Sequence, residues 1–206
     1  FEDNSAALVA GVDEVGRGPL AGDVIAAAVI LRGAAPSGVT DSKALSAGRR
    51  EALAEAIRDS ALCWSVGRAS VAEIDELNIL EASLLAMRRA VESLSTQPTL
   101  VLVDGNRLPR WPYEAKAIVK GYLREPVIGA ASILAKVTRD RFMRTLHQEF
   151  PEFGFASNKG YGAPVHLQAL REQGPTVHHR PRFLRNLLQD ADLGSESREQ
   201  SQLSFL

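Results

Sequence analysis

Residues 8–31 read LVAGVDEVGRGPLAGDVIAAAVIL, and this stretch decides the predicted fold. Two apolar segments, residues 8–13 and 23–31, lie on either side of a turn that is rich in glycine. Apolar runs of this length, bounded by Gly and Pro, predict strands with buried faces. We therefore expect the chain to begin its sheet with a hairpin-like pair of strands.

Strand and helix patterns alternate along the rest of the chain. Ser46 is the expected N-cap of a first helix, and Ser70 with Glu73 forms a capping box ahead of the segment VAEIDELNI. Further strands are predicted at 64–68, 99–105 and 117–119, and further helices at 48–59, 78–94, 127–150, 164–172 and 181–188. This order indicates an α/β or α+β fold in which helices pack on a mixed sheet.

The composition is that of a soluble globular protein. The 206 residues are 45% hydrophobic and 24% charged, which excludes disorder of the whole chain and a coiled coil. The longest apolar run, residues 24–31, falls far short of the roughly 20 residues of a membrane helix. No signal-like segment opens the chain, and the single Cys63 cannot form an internal disulfide or a thiolate metal cluster. We expect a cytoplasmic protein with no membrane partner.

The expected organisation is one domain over residues 1–189, followed by a flexible polar tail over residues 190–206. We expect the protein to be a monomer.

The net charge is −1, but the charged residues are distributed unevenly along the chain. Residues 105–185 carry 14 basic and 6 acidic side chains, and the remainder carries 10 basic and 19 acidic ones. The pattern indicates a face for a polyanion together with acids that could hold cations, the alternative being ordinary solvated surface.

Three carboxylates are candidate metal ligands. Asp13 and Glu14 end the first predicted strand, where burial without a partner is unfavourable and predicts a cation nearby. Adjacent strand residues point to opposite faces, so both reach one metal only through a carbonyl or a twisted strand end. Asp104 ends strand 99–105, the usual edge for a ligand site in an α/β sheet. The alternatives are a turn with solvated acids and, for Asp104, a turn former.

Hard oxygen ligands favour Mg²⁺ or Mn²⁺ over zinc, and a pair of such ions suits phosphoryl transfer. The turn of residues 16–18 could present N–H groups and a guanidinium to a phosphate or a ribose. The histidines lack the spacing of metal ligands, and we interpret them as surface or phosphate-contacting residues: His147, His166, His178 and His179. Neither a Walker loop nor a dinucleotide fingerprint is present.

Five separated motifs carry a family resemblance over roughly residues 8–189. They are GVDEVGRGPLAGDVIAAAVIL, DSKALS, LVLVDGN, AASILAKVTRDR and SNKGYGAPVH. Together they resemble ribonuclease HII, a metal-dependent endonuclease that cuts at ribonucleotides embedded in duplex DNA and in RNA:DNA hybrids. The resemblance implies a ribonuclease H-like mixed sheet flanked by helices, with a small C-terminal helical segment.

The resemblance also implies residue roles. It assigns metal binding and catalysis to Asp13, Glu14 and Asp104. It assigns contacts with the ribonucleotide 2′-hydroxyl and the adjoining phosphates to Gly16, Arg17 and Gly18. Tyr161 is expected to stack on the deoxyribose just 3′ of the ribonucleotide, since a ring fits flush against a sugar that lacks the hydroxyl. Contacts with the duplex backbone are expected from Ser42, Lys43 and Lys159.

One departure from the family pattern concerns the metal site. A fourth acid is expected in a Lys-Gly-Asp segment, and here Tyr122 stands in its place. A phenol is neutral at pH 7 and a poor ligand for a hard cation. Three outcomes follow: an enzyme of reduced rate, an enzyme rescued by Glu125, or a hybrid-binding protein that no longer cuts. We expect catalysis to be retained, because the other three acids are present; a general phosphohydrolase is a weaker alternative.

The last five residues, QLSFL at 202–206, are similar to the short peptides by which bacterial repair enzymes bind the replication sliding clamp. The expected contacts come from Gln202, Leu203, Phe205 and Leu206. An apolar group on an unstructured tether can dock into a pocket at moderate affinity. The alternative is a frayed end without a partner.

Overall fold

The computed structural model describes residues 7–185 and 187, and the side chains of residues 41–43 lie outside this description. Five strands form one sheet: β1 (Val9–Val15), β2 (Val24–Leu31), β3 (Ala61–Ala69), β4 (Leu100–Asp104) and β5 (Ala115–Ile118). The helices are α1 (Ala47–Ser60), α2 (Val71–Leu77), α3 (Ile79–Glu92), α4 (Pro126–Glu149), α5 (Phe155–Asn158) and α6 (Pro164–Gln173). No helix in this part of the chain is long and apolar enough to cross a membrane.

The sheet order is β3-β2-β1-β4-β5, with β1 in the centre. β1 pairs antiparallel with β2, and β2 pairs antiparallel with β3, which confirms the predicted hairpin-like start. β4 lies parallel to β1 and β5 lies parallel to β4, so the sheet is mixed, as expected. The register pairs Val12 with Val103, and Asp13 and Asp104 therefore follow at equivalent positions on neighbouring parallel strands.

Helices cover both faces of the sheet, and small residues let them approach closely. α3 lies on one face, where a side chain at Gly67 of β3 would overlap the backbone of α3 at Ala86. α1 and α4 lie on the other face, where a side chain at Gly11 of β1 would overlap the backbone of α4 at Val127. β2 is buried on both faces, which explains its continuous apolar run.

The predicted helix boundaries are largely confirmed. Ser46 accepts a hydrogen bond from Arg49 N–H as the cap of α1, and the Ser70–Glu73 capping box is present at the start of α2. The third strand is longer than predicted, because alternation of buried and exposed residues extends over all of β3. Residues 181–185 are helical, whereas position 188 and the predicted tail, residues 190–206, lie outside the described residues.

Candidate active site

The three predicted carboxylates share one cleft. Asp13 and Glu14 lie at the end of β1, and Asp104 ends β4 beside them. The cleft has a volume of about 320 Å³ and is lined by Asp13, Glu14, Val15, Arg50, Asp104, Tyr122, Ser132, Lys136 and Tyr161. The strand end therefore brings both adjacent acids to one place, although their side chains start from opposite faces of the strand.

Asp13 is buried between β1 and α4. It is 6% exposed, and its Oδ1 accepts a hydrogen bond from the Glu14 N–H at 2.8 Å. Burial raises the pKa of Asp13 well above its ordinary value, and the charges of Glu14 and Asp104 raise it further. A hydrogen bond with the Ser132 side chain of α4 acts in the opposite direction. The carboxylate thus stands in a place that favours a nearby positive charge.

Glu14 and Asp104 complete the acidic group. Burial raises the pKa of Glu14, and its Oε2 is buried without a hydrogen-bond partner. Its other oxygen, Oε1, is 3.8 Å from Nη1 of the exposed Arg17. Asp104 Oδ1 accepts a hydrogen bond from the Tyr122 N–H at 3.2 Å. Glu14 therefore carries a buried oxygen that no described group satisfies, which is the kind of atom that a cation satisfies.

The donor set fits a hard divalent cation. In the described part of the chain, no three Asp, Glu, His or Cys side chains stand close enough together to form a finished metal cage. The three carboxylates nevertheless face one cleft, and two of them carry pKa values raised by burial and mutual repulsion. A bound cation would offset both the burial of these carboxylates and the repulsion between them, and would lower their pKa values. Carboxylate oxygens without nitrogen or sulfur ligands suit Mg²⁺ or Mn²⁺.

The turn of residues 16–18, here called the GRG turn, directly follows Val15 of the cleft and is not itself among the residues that line it. Gly16 has φ of +95°, a conformation that favours glycine, and a side chain there would overlap the Arg139 guanidinium. A Cβ at Gly18 would lie 3.2 Å from the ring atom Cε1 of Tyr161. The GRG turn and the Tyr161 ring are therefore neighbours.

Residues 160–162, here called the GYG loop, carry Tyr161 on a fixed backbone. Gly160 N–H donates to Asn158 Oδ1 at 2.8 Å, and Tyr161 N–H donates to Asn158 O at 3.0 Å. Leu20 N–H donates to Gly160 O at 2.8 Å, which joins this loop to the segment after the GRG turn. The Tyr161 side chain is 52% exposed and lines the cleft. Its ring is thus available to a bound molecule.

The predicted duplex-contacting residues differ in position. The Lys159 ammonium donates to Ala156 O, burial lowers the pKa of Lys159, and its side chain is not among those that line the cleft. The side chains of Ser42 and Lys43 lie outside the described residues. Two cationic residues that the sequence analysis did not single out, Arg50 and Lys136, line the cleft instead. Only their place in the fold identifies them, because Arg and Lys are common at any exposed position.

Tyr122 lines the cleft of the carboxylates, and Glu125 does not. Tyr122 belongs to a 3₁₀ helix, Gly121–Leu123, and lines the cleft beside Asp104. Glu125 is the residue before α4, and it is not among the residues that line the cleft. The structure therefore puts a phenol where the family pattern has an acid, with Glu125 outside the cleft.

The interpretation of two histidines as surface or phosphate-contacting residues is wrong. His166 is 0% and His179 is 3% exposed, and their Nε2 atoms are 2.9 Å apart. The rings of Phe153 and Phe155 pack around them. Two neutral imidazoles can satisfy each other in an apolar site, so the pair is stable where a lone histidine would be exposed.

Two buried arginines were also missed by sequence reasoning. Arg139 and Arg180 are each 1% exposed, and their guanidinium groups donate to backbone carbonyls around the GRG turn and the GYG loop. Arginine is almost never fully buried unless it is paired, so no sequence pattern marks these two. Their partners come from loops that are distant in the chain.

A mixed sheet with acids at the ends of neighbouring parallel strands, beside glycine-rich loops, defines a ribonuclease H-like nuclease. Comparison with known proteins is more specific. The family model for ribonuclease HII matches residues 10–187, and the chain belongs to that family. It is 60% identical over 177 residues to ribonuclease HII of Verminephrobacter eiseniae, covering 85% of each chain. The family identifies a ribonuclease H, a hydrolase that depends on a divalent metal.

Solved structures agree with this assignment. Ribonuclease H2 of Pyrococcus horikoshii superposes with a TM-score of 0.69 at 30% identity, over 84% of this chain and 92% of that one. Ribonuclease HII of Archaeoglobus fulgidus, solved in a complex with PCNA, gives a TM-score of 0.67 at 28% identity, over 85% of this chain and 95% of that one. The expected fold, a ribonuclease H-like mixed sheet flanked by helices, is confirmed.

Proposed function

We propose that this protein is an endoribonuclease that cuts the RNA strand of RNA:DNA hybrids and cuts at single ribonucleotides embedded in duplex DNA. The observation that carries the proposal is the cleft itself. It combines three carboxylates, one of them with a buried and unpaired oxygen, with an exposed tyrosine ring next to the GRG turn. The acids supply a place for cations, and the turn and ring supply a place for a ribose and its neighbour.

In this proposal Asp13, Glu14 and Asp104 would hold two divalent ions, Mg²⁺ or Mn²⁺. Two such ions, when bound, activate water and stabilise the leaving oxygen. Water adds to the phosphorus 5′ of the ribonucleotide and the bond from phosphorus to O3′ breaks. The O3′ takes a proton, which leaves a 3′-hydroxyl and a 5′-phosphate. The protein supplies orientation: the Ser132 side chain holds Asp13, and the Tyr122 N–H holds Asp104.

Selection of the ribonucleotide is assigned to the two glycine-rich segments. The 2′-hydroxyl is the group that separates RNA from DNA at one position, and backbone groups of Gly16, Arg17 and Gly18 can test for it at close range. Tyr161 would stack on the next sugar, which lacks that hydroxyl. The position of Gly18 against the Tyr161 ring supports adjacent places for these two sugars. Ser42, Lys43 and Lys159, with Arg50 and Lys136, would contact phosphates.

The test is cleavage of a DNA duplex that contains one ribonucleotide, with Mg²⁺ or Mn²⁺, by the wild type and by Asp104→Asn. Cutting 5′ of the ribonucleotide that is lost in Asp104→Asn supports the proposal. The matched control is Asp75→Asn, since Asp75 lies on α2 and is not among the residues of the cleft. Equal cutting by Asp104→Asn and the wild type would overturn the assignment of Asp104.

A second candidate function is hybrid binding without cutting, favoured by Tyr122 in the cleft. Binding alone does not separate the two candidates, because both proteins would hold a hybrid. Metal-dependent turnover does separate them. No cutting by the wild type, together with cutting by Tyr122→Asp, would establish the binding protein.

We also propose that the protein is a cytoplasmic monomer. We propose further that it binds the replication sliding clamp through residues 202–206, which lie outside the described residues. The archaeal relative solved with PCNA supports a clamp partner in this family at large. A pull-down with the bacterial clamp, comparing the full chain with a chain that lacks these five residues, tests the contact. Equal recovery of both chains would remove it. Cell fractionation and light scattering test the location and the oligomeric state.

A further inference from the structure

Arg180 lies beneath the GRG turn and is 1% exposed. Its Nη1 donates to Arg17 O at 2.9 Å, and its Nη2 donates to Gly16 O. Its Nε and Nη2 also donate to Gly22 O, at 2.9 Å and 2.7 Å. One planar group therefore ties the backbone of the turn to the backbone six residues further on.

The partners of this guanidinium are backbone carbonyls. Burial, and after it the nearby charge of Arg139, lower the pKa of Arg180 to about 9. A buried charge that is held by neutral groups is unfavourable compared with the same charge in water. The Arg180 guanidinium instead fixes the relative positions of its carbonyl partners, because it presents several donors in a rigid planar fork that a lysine lacks.

The segment that carries Arg180 is itself fixed to the same loop. Arg180 N–H donates to Leu20 O at 2.8 Å, and Gly22 N–H donates to His178 O at 2.8 Å. An isolated bridge pairs Ala21 with His179. The backbone at Arg180 is therefore bonded to residues 20–22, the same loop that its side chain contacts.

The anchored loop also reaches the GYG loop. Arg139 Nη1 donates to Lys159 O at 2.8 Å, and Arg139 Nη2 donates to Ala21 O at 3.0 Å. His166 Nδ1 lies 2.8 Å from Tyr161 O, and His166 in turn contacts His179, the neighbour of Arg180. Residues 178–180 thus hold both segments that face the ribose in the proposed function.

We propose that Arg180 is a positioning residue for ribonucleotide recognition: it holds the GRG turn at the distance at which the backbone of the turn reads a 2′-hydroxyl. The inference rests on the proposed function of that turn. Displacement by a fraction of an ångström is enough to lose a hydrogen bond from a fixed backbone group. Arg180 therefore sets the preference for a ribonucleotide over a deoxyribonucleotide without touching either.

The experiment measures binding as well as cleavage. In an Asp104→Asn background, the dissociation constant is measured for a duplex with one ribonucleotide and for the matched all-DNA duplex. The variants are Arg180→Lys, which keeps the charge and loses the fork, and Arg180→Met. The control is Arg182→Met, which removes an exposed arginine two positions away, 3.9 Å from Asp75. Cleavage of the ribonucleotide duplex is measured in the chain with Asp104 intact.

We expect Arg180→Lys to reduce the ratio of the two affinities by about tenfold or more and to lower kcat/KM to a similar extent. Affinity for the all-DNA duplex stays unchanged. Arg182→Met keeps the wild-type ratio. Loss of folded protein lowers the active fraction and leaves the ratio of affinities unchanged, so a merely structural role of Arg180 gives a different result.

Two failures are distinguishable. The proposed function is overturned if the wild type does not cut the ribonucleotide duplex and the Asp104→Asn chain does not prefer it. The role of Arg180 is overturned if the wild type cuts this duplex, the Asp104→Asn chain prefers it, and the addition of Arg180→Lys leaves that preference unchanged. For a variant that binds too weakly to measure, amide hydrogen exchange gives a second readout. Faster exchange confined to residues 16–22 and 160–162 supports the proposal, and wild-type exchange there contradicts it.

Discussion

The backbone N–H of Tyr122 donates a hydrogen bond to Oδ1 of Asp104 over 3.2 Å. This bond holds residue 122 against the metal-binding carboxylate of the proposed site, and the Tyr122 side chain lines the same cleft. Gly121, just before it, is buried, and a Cβ there would lie 3.4 Å from Asp104 Oδ1. The backbone therefore holds position 122 beside Asp104, and the side chain there is a phenol.

We predict that Tyr122→Asp strengthens metal binding. A carboxylate at this position adds a hard anionic ligand, and ligand charge is a main determinant of affinity for divalent cations. The expected result is a fall of about tenfold in the Mg²⁺ concentration for half-maximal cleavage, with a higher kcat. The control is Tyr122→Asn, which removes the phenol and adds no charge. An equal gain in Tyr122→Asn would show that the ring, and not the missing acid, limits the wild type.

Substitution of Glu125 is expected to leave the metal requirement unchanged. Glu125 precedes α4, makes no side-chain cap to the helix, and does not line the cleft. Glu125→Gln should keep the rate and the Mg²⁺ dependence of cleavage within about twofold, because the substitution keeps the size of this half-buried side chain and removes a charge that does not face the cleft. A titration of cleavage against Mg²⁺ checks this. A clear rise in the Mg²⁺ requirement would show that Glu125 replaces the missing acid.

Gly16→Ala is predicted to be more harmful than a matched glycine substitution elsewhere. Gly16 and Gly38 have φ of +95° and +92°, so alanine is strained by about 1 kcal/mol at each. A side chain at Gly16 would also overlap the Arg139 guanidinium, whereas the space around Gly38 is open. Urea unfolding should therefore show a larger loss of stability for Gly16→Ala, together with loss of cleavage. Equal losses of stability and of cleavage in Gly16→Ala and Gly38→Ala would mean that the Arg139 side chain moves aside without affecting the fold or the site.

The main parts of the fold and the acidic site follow from local sequence patterns. Continuous apolar runs predict β1 and β2, and side-chain caps predict the starts of α1 and α2. The meeting of Asp13 with Asp104 follows from their place at strand ends, once β1 and β4 are parallel neighbours. These features depend on hydrophobic period, which the sequence shows, and on strand order, which only the structure supplies.

The side chains that support the GRG turn and the GYG loop cannot be predicted in this way. Arg139 and Arg180 are buried because carbonyls from distant loops surround them, and a sequence pattern does not show which carbonyls converge. His166 and His179 are 13 positions apart and satisfy each other only after α6 and the segment before residue 180 have packed together. The sequence therefore predicts the carboxylates that meet in the cleft better than the buried side chains that support the loops beside it.

The buried histidine pair gives a prediction of pH dependence. Burial, then the charges of His166 and His178, lower the pKa of His179 to about 4, with Thr176 N–H directed at its Nδ1. Burial also lowers the pKa of His166. The unfolded chain, with an ordinary histidine pKa of about 6.5, therefore binds more protons than the folded chain between pH 4 and 6.5. Stabilisation by neutral His179 is complete above this window and decreases as the pH falls through it.

We expect His179 to reduce the free energy of unfolding by roughly 2 kcal/mol between pH 7 and pH 4.5. Carboxylates with raised pKa values, Asp13 and Glu14, act in the opposite direction, so the comparison is made between variants rather than with the wild type alone. His179→Gln should flatten the fall in stability, measured by urea unfolding at each pH, whereas His178→Gln should keep the wild-type slope. Protonation of His179 would put a proton on Nδ1, which already accepts from the Thr176 N–H at 2.9 Å, so two N–H groups would face each other there and the loss is expected. Equal slopes in the wild type and His179→Gln would contradict this account of the pair.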